Sequence, residues 1–174
     1  METAPASRGR ILLADDNPSL RRVLANRLRK EGFDVVEAGD PTEVFAYLGA
    51  LRDMDSDLDL IVSDIQMPLG SGLTMMQNLR QFRWSVPKLL ITSYASEEVR
   101  EIARMLEIPV MEKPFPMQPF TAACAAAVAM HRAQRALPFV HADYFALRSG
   151  DGPTKGKSGR TWESSWPGLG NASC

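Results

Sequence analysis

Short apolar runs alternate with amphipathic stretches five times along the chain, and this alternation restricts the possible folds more than any other feature. The runs are RILLA, FDVVEA, LDLIVSD, KLLITS and PVMEK, which start at residues 10, 33, 58, 88 and 109. Each run is short and apolar enough to be a strand buried on both faces. Strict alternation of such strands with helices is typical of an α/β fold, in which a doubly wound parallel sheet has helices on both sides.

The stretches between the runs have the expected start signals and apolar faces of helices. Asn17 and Asp40 each provide a capping side chain before a proline, and Ser96 is a third candidate cap. The residues spaced to face the core are Leu20, Val23, Leu24 and Leu28 in the first helix, Val44, Phe45 and Leu48 in the second, and Leu73, Met76, Leu79 and Phe82 in the third.

One domain of ordinary size accounts for most of the 174 residues. We expect residues 1–9 to be disordered, residues 10–136 to form the domain, and residues 137–174 to be a mostly disordered extension. Both ends are rich in small and polar residues that bury too little apolar surface to fold. No output domain is expected in the extension.

The overall charge and the apolar segments restrict the partners and the compartment. The net charge is −1, which gives no bulk attraction to nucleic acid or to an anionic membrane. The chain has no apolar stretch long enough to span a membrane and no secretory signal at its start. Its two cysteines have neither a disulfide framework nor a metal-binding spacing. We therefore expect a cytoplasmic protein that binds neither nucleic acid nor a membrane directly.

Side chains with reactive groups follow four of the five predicted strands. Asp15 and Asp16 follow the first strand, and Asp64 ends the third. Thr92 ends the fourth strand and Lys113 follows the fifth. With the strand order 2-1-3-4-5, these four strands have neighbouring carboxyl ends, which is where open α/β sheets bind ligands. We therefore expect three carboxylates, one hydroxyl and one ammonium group to share a pocket.

Such a pocket suits magnesium and a phosphoryl group. Converging carboxylates repel each other, and a divalent cation relieves this repulsion. A set of oxygen ligands without His or Cys favours Mg²⁺. Lys113 would add a second positive group, with a phosphoryl group between it and the ion, and Thr92 would donate a hydrogen bond to a phosphoryl oxygen. Asp64 would be the nucleophile that forms an aspartyl phosphate.

The stretches LLADDN, SDIQMPLGSG, ITS and EKPF resemble, in their order and spacing, the receiver domain of two-component response regulators over about residues 10–136. The resemblance implies a flavodoxin-like fold and a phosphorylation-dependent signalling switch. Asp64 would accept its phosphoryl group from the phosphohistidine of a histidine kinase or from a phosphotransfer protein. Such a domain is not an enzyme beyond its self-catalysed phosphotransfer and slow autodephosphorylation.

The resemblance also assigns roles to single residues. Asp16, Asp64 and the backbone carbonyl of Gln66 would bind Mg²⁺ directly, and Asp15 would act through a water molecule. Thr92 and Lys113 would hold the phosphoryl group, and the Lys113–Pro114 peptide bond would be cis. An unknown downstream protein would bind the face formed by the fourth helix, the fifth strand and the fifth helix. The basic first helix, which includes Arg21, would lie on the kinase side.

One residue departs from the family pattern, and two other functions stay open. Members usually have Tyr or Phe three residues before the lysine, where this chain has Val110, so no aromatic ring can swing inward there. A receiver-like module that binds partners without phosphorylation is therefore an alternative. A Mg²⁺-dependent phosphohydrolase of the haloacid-dehalogenase type would need a second Asp at the position of Gln66, and this absence argues against it.

Overall fold

The computed structural model describes residues 7–51, 57–81 and 85–136. Within these residues five parallel strands form one sheet in the order β2-β1-β3-β4-β5. The strands are β1 (Arg10–Ala14), β2 (Asp34–Ala38), β3 (Leu60–Asp64), β4 (Lys88–Thr92) and β5 (Val110–Glu112). The helices are α1 (Pro18–Lys30), α2 (Pro41–Ala50), α3 (Gly72–Gln81), α4 (Glu97–Met105) and α5 (Met117–Ala136). The predicted fold class and strand order are confirmed, whereas the predicted C-terminal extension lies outside the described residues.

Alternate residues of the central strands enter apolar cores on opposite faces of the sheet. Ile11 and Leu13 of β1 pack with residues of α1 and α5. Leu12 and Ala14 pack with residues of α2, α3 and α4. All five residues of β3 are buried. This two-sided burial explains why the strands read as continuous apolar runs rather than as an alternation of apolar and polar residues.

The predicted helix caps are confirmed. The Asn17 side chain accepts hydrogen bonds from the backbone N–H groups of Ser19 and Leu20 at 3.0 and 3.1 Å. Asp40 caps α2 and Ser96 caps α4 in the same manner. These caps satisfy N–H groups that have no partner within the helix, so they fix where the helices begin after β1, β2 and β4.

Two residues predicted to face the core are exposed instead. Val23 is 54% exposed and Phe45 is 39% exposed, whereas their neighbours Leu24 and Val44 are fully buried. Adjacent residues on a helix point about 100° apart, so only one stripe of each helix contacts the sheet. The stripe on α1 also includes Ala25, which the apolar spacing did not single out. The third-helix residue Phe82 lies outside the described part of the chain.

Composition predicts a disordered N-terminus over residues 1–9, but backbone groups of Arg8 and Gly9 form hydrogen bonds with the folded domain. The N–H of Arg8 donates to the Gly32 carbonyl at 3.0 Å, and the N–H of Asp34 donates to the Gly9 carbonyl at 2.9 Å. The guanidinium of Arg8 also lies 5.0 Å from the centre of the Phe33 ring. These contacts come from tertiary structure, which local composition does not reveal.

Asp59, just before β3, forms a buried polar contact that we call the Asp59 anchor. One of its carboxylate oxygens accepts the backbone N–H of Arg10 at 2.9 Å, and the other accepts Nε of Arg132 at 3.0 Å. The backbone N–H of Asp59 also donates to the Arg10 carbonyl at 2.9 Å. The anchor therefore joins β3 to β1 and to α5 at the end of the sheet opposite the predicted pocket.

Candidate functional site

The three predicted carboxylates meet at the carboxyl ends of β1 and β3. Asp15 is fully buried and Asp64 is 5% exposed, whereas Asp16 lies at the surface. One carboxylate oxygen from each of the three lies within 4.8 Å of the others. The strand order thus places these groups together as the sequence analysis expected, and the exposed Asp16 leaves one side of the group open to solvent.

Lys113 joins the two buried carboxylates. Its Nζ donates to Oδ2 of Asp15 at 2.7 Å and to Oδ2 of Asp64 at 2.6 Å. Its backbone N–H donates to the Thr92 carbonyl at 2.7 Å, which continues the pairing of β5 with β4. The Lys113–Pro114 peptide bond is cis, as the resemblance implied. The lysine therefore lies where it can contact any group that becomes attached to Asp64.

The charges of this pocket determine what else it can hold. Burial alone would lower the pKa of Lys113, but the hydrogen bonds and negative charges of Asp15 and Asp64 outweigh burial, so this pKa is raised. Lys113 is therefore charged at neutral pH. These four side chains, three carboxylates and one ammonium group, together carry two more negative charges than positive ones. Because the ligands are all oxygen atoms, these charges and donors fit Mg²⁺.

Backbone N–H groups hold the remaining oxygens of both buried carboxylates. The N–H of Asn17 donates to Oδ1 of Asp15 at 2.9 Å, and the N–H of Gln66 donates to Oδ1 of Asp64 at 3.0 Å. Each carboxylate thus accepts a backbone N–H with one oxygen and the ammonium group of Lys113 with the other. This arrangement fixes the orientation of both groups without using Asp16.

The segment after Asp64 forms a short hairpin. Gln66–Met67 pairs antiparallel with Gly70–Ser71. Leu69, at the tip, has a φ of 65° and is 81% exposed. Gly72 follows and begins α3, and its N–H donates to the Ile65 carbonyl at 2.9 Å. The hairpin therefore returns the chain to the end of β3 at Gly72, the eighth residue after Asp64.

A side chain at Gly72 would collide with the backbone of the site. A Cβ atom there would lie 1.9 Å from the Asp64 carbonyl oxygen and 2.7 Å from Oγ of Ser63. Ordinary contacts of such atoms are well over 3 Å, so the start of α3 fits against the Asp64 peptide only because this residue is glycine. The position of Asp64 thus depends on a residue that the sequence analysis did not single out.

The hydroxyl of Thr92 bonds with the loop that follows β4. Thr92 is fully buried, and its Oγ1 donates to the Tyr94 carbonyl at 3.0 Å and accepts the Tyr94 N–H at 3.3 Å. The Tyr94 side chain is 70% exposed, and Val110 is half-buried in β5. The contact of Thr92 with a phosphoryl group stays a prediction, and it would require the hydroxyl to turn away from Tyr94.

Arg21 contributes to the site although its role was not predicted. Its Nη1 donates to the Asp15 carbonyl, and its Nε lies 3.5 Å from Oε2 of Glu37. The guanidinium thus joins α1 and β2 around the loop that holds Asp15 and Asp16. The sequence feature that could have indicated this role is a basic residue, Arg21, in the first turn of a helix that begins just after Asp15 and Asp16.

Replacing Lys113 with methionine should lower the stability of the metal-free protein. Two buried carboxylates would lose their shared cationic partner, so the free energy of unfolding should fall by about 3 kcal/mol. Added Mg²⁺ should recover most of this loss and bind about tenfold more tightly than to wild type, since one competing positive charge is gone. Urea unfolding across a series of Mg²⁺ concentrations measures both effects.

Lys88→Met is the matched control, because Lys88 lies at the opposite end of β4 and donates to the Val86 carbonyl at 2.9 Å. Added Mg²⁺ should stabilise Lys88→Met no more than it stabilises wild type. An equal Mg²⁺ response in both variants would contradict the electrostatic role of Lys113.

Comparison with known proteins gives a family match over most of the described residues. The model of the family described as "Response regulator receiver domain" matches residues 11–125. The chain is 35% identical over 88 residues to the transcriptional regulatory protein AruR of Pseudomonas aeruginosa, covering 51% of this chain and 36% of AruR. It is also 35% identical over 89 residues to the CAI-1 autoinducer sensor kinase/phosphatase CqsS of Vibrio cholerae, covering 51% of this chain and 12% of that protein. The chain thus spans about a third or less of these curated relatives.

Solved structures agree with the fold. A CheY-like response regulator receiver domain from Methanospirillum hungatei superposes with a TM-score of 0.66 at 20% identity, covering 72% of this chain and 98% of that one. The chemotaxis protein CheY4 of Vibrio cholerae superposes with a TM-score of 0.55 at 25% identity, covering 74% and 98%. In the part of the chain that the structure describes, no helix has the length and apolarity needed to cross a membrane.

Proposed function

The chain belongs to the response regulator receiver domain family, and we propose that it is a signalling switch in which Asp64 accepts a phosphoryl group from a phosphohistidine. The donor would be a sensor histidine kinase or a phosphotransfer protein. The observation that supports this proposal most is the double contact of Lys113 with Asp15 and Asp64, at 2.7 and 2.6 Å, beside the exposed Asp16. Receiver domains as a family are signalling switches rather than enzymes.

In the proposed transfer, a carboxylate oxygen of Asp64 attacks the phosphorus atom of the phosphohistidine. The new O–P bond forms as the P–N bond breaks, and the electron pair of that bond leaves with the imidazole. Lys113, now 2.6 Å from Asp64, would donate to a phosphoryl oxygen, and Thr92 would donate to another. The backbone N–H of Gln66 keeps the second Asp64 oxygen in place during this step.

Magnesium would be held by the carboxylates of Asp16 and Asp64 and by the Gln66 carbonyl, with Asp15 contributing through water. When bound, the ion supplies positive charge that offsets the charge of the phosphoryl oxygens. The arrangement supports this assignment because Asp16 is the exposed member of the group and is thus accessible to an ion arriving from solvent. Asp15, fully buried and bonded to Lys113, is less accessible.

The signal would leave the protein as a change in protein–protein contacts. We place the downstream partner on the surface formed by α4, β5 and α5, and we assign no identity to it. Met105 at the end of α4 is 62% exposed, and Tyr94 in the preceding loop is 70% exposed. These two side chains would be available to such a partner, and Tyr94 lies only two residues after Thr92 in the chain.

The experiment that tests the proposal is intact mass spectrometry after incubation with acetyl phosphate or phosphoramidate, the second of which has a P–N bond. One phosphoryl group per chain is expected with Mg²⁺ and none with EDTA. The adduct should be removed by hydroxylamine, which cleaves acyl phosphates but not phosphate esters. Failure of both donors in the presence of Mg²⁺ would overturn the proposal and leave a receiver-like module that binds partners without phosphorylation.

A further inference from the structure

We propose that Arg100 is a positioning residue that holds the loop after β4 in its unphosphorylated arrangement and so opposes the capture of a phosphoryl group by Thr92. The loop consists of residues 93–96, between β4 and α4. This inference rests on the proposed function of Asp64, because it concerns how the same site is regulated.

The Thr92 hydroxyl has a single proton to donate. That proton is donated to the Tyr94 carbonyl at 3.0 Å, and Thr92 is fully buried. A hydroxyl can donate only one hydrogen bond at a time. A bond from Thr92 to a phosphoryl oxygen on Asp64 therefore removes the partner of the Tyr94 carbonyl. The loop must then adjust, or that carbonyl must find another donor.

Arg100 of α4 holds Ala95, the residue of the loop that follows Tyr94. Nε of Arg100 donates to the Ala95 carbonyl at 3.3 Å. The other end of the same guanidinium forms an ion pair with Glu112 of β5. Arg100 thus fixes Ala95, adjacent to Tyr94, to the strand that leads into Lys113.

Glu112 lies beside Thr92 in the sheet. Glu112 pairs with Thr92 in the register of β4 and β5, and it directly precedes Lys113. One guanidinium therefore connects the loop after Thr92 with the residue before Lys113, and these are the two residues proposed to hold the phosphoryl group. Any shift of the loop away from β5 must stretch or break this connection.

Position 110 in β5 has valine and no aromatic ring. Val110 cannot place a ring in the space that Thr92 would leave on moving toward a phosphoryl group. The free energy of moving the loop of residues 93–96 therefore depends on the contacts that this loop makes. Among these contacts are the hydrogen bonds between Thr92 and Tyr94 and those that join Arg100 to Ala95 and Glu112. Loss of the Arg100 contacts should shift the population toward the arrangement that binds a phosphoryl group.

Calorimetric titration with beryllium fluoride in the presence of Mg²⁺ tests this inference on the full chain, because the trifluoride occupies the place of a phosphoryl group on a carboxylate. Arg100→Ala should bind about two- to fivefold more tightly than wild type, the range expected from one half-exposed ion pair. Arg100→Lys should resemble Arg100→Ala, because an ammonium group cannot bridge Ala95 and Glu112 as the planar guanidinium does.

Arg104→Ala is the matched control, since Arg104 lies on the same helix and pairs with Glu101 of that helix. It should bind like wild type. Hydrogen exchange gives a second readout on the unphosphorylated proteins. The Tyr94 amide, which donates to Thr92, should exchange faster in Arg100→Ala than in Arg104→Ala, with similar melting temperatures for both.

Two results would overturn the inference in different ways. Binding by Arg100→Ala that equals or is weaker than wild-type binding, with a normal phosphate adduct on wild type, removes the role of Arg100 and leaves the proposed function intact. No adduct and no fluoride binding on wild type would overturn the proposed function, and the role of Arg100 with it.

Discussion

Asp64→Asn is expected to reduce the phosphate adduct to background with either acetyl phosphate or phosphoramidate. Asparagine has nearly the same size and can still accept the Gln66 N–H, but its amide is not a nucleophile comparable to a carboxylate. The substitution also removes one of three converging negative charges, so the folded state should be at least as stable as wild type without Mg²⁺. Intact mass and thermal unfolding measure the two effects.

Asp34→Asn is the matched control, because Asp34 makes its ion pair with Arg10 on the surface at 2.7 Å, at the opposite end of the sheet. It should form the same adduct as wild type at the same rate. If Asp64→Asn still acquires one phosphoryl group, the acceptor is another residue, and peptide mapping of the adduct would identify it.

Gly72→Ala is expected to destabilise the protein by about 3 kcal/mol or more, because the added methyl group meets backbone atoms that cannot move aside alone. The clash is with the Asp64 carbonyl at 1.9 Å, so relief requires α3 or the end of β3 to shift. Any protein that still folds should therefore also form the phosphate adduct more slowly. Urea unfolding and the rate of adduct formation measure the two effects.

Gly49→Ala provides the control, since a Cβ atom at Gly49 in α2 would have nothing within 4 Å. Alanine there should be neutral or stabilising by up to about 1 kcal/mol, as expected for replacing glycine in a helix. Equal stability of the two variants would contradict this prediction, because it would show that the clash between a Cβ atom at position 72 and the Asp64 carbonyl is relieved at little cost in free energy.

The arrangement of the site could be predicted from the sequence because the position of a residue at the end of a strand also determines where it lies in the fold. Asp15, Asp64, Thr92 and Lys113 each follow or end an apolar run, and parallel strands bring such ends to one edge of the sheet. The caps at Asn17, Asp40 and Ser96 were predicted for a similar reason, since a cap depends only on the next three residues.

Burial and contacts that depend on residues far away in the sequence could not be predicted from local patterns. Val23 and Phe45 fit an apolar helical face, but which stripe of a helix is buried depends on how it packs on the sheet. The contacts of Arg21 and Arg100 join residues on different elements through long side chains, whose direction local sequence does not specify. The close approach at Gly72 likewise depends on how the hairpin returns to β3.

The Asp59 anchor has a consequence for changes in chain length. The Asp59 side chain accepts the N–H of Arg10, and the N–H of Asp59 donates to the Arg10 carbonyl. The pairing with β1 is therefore already fixed at the residue that precedes β3. A slip of one residue would turn every side chain of β3 to the opposite face. Insertions or deletions upstream of Leu58 should therefore be absorbed before the anchor, and the Asp64 carboxylate should keep its position while the preceding connection varies.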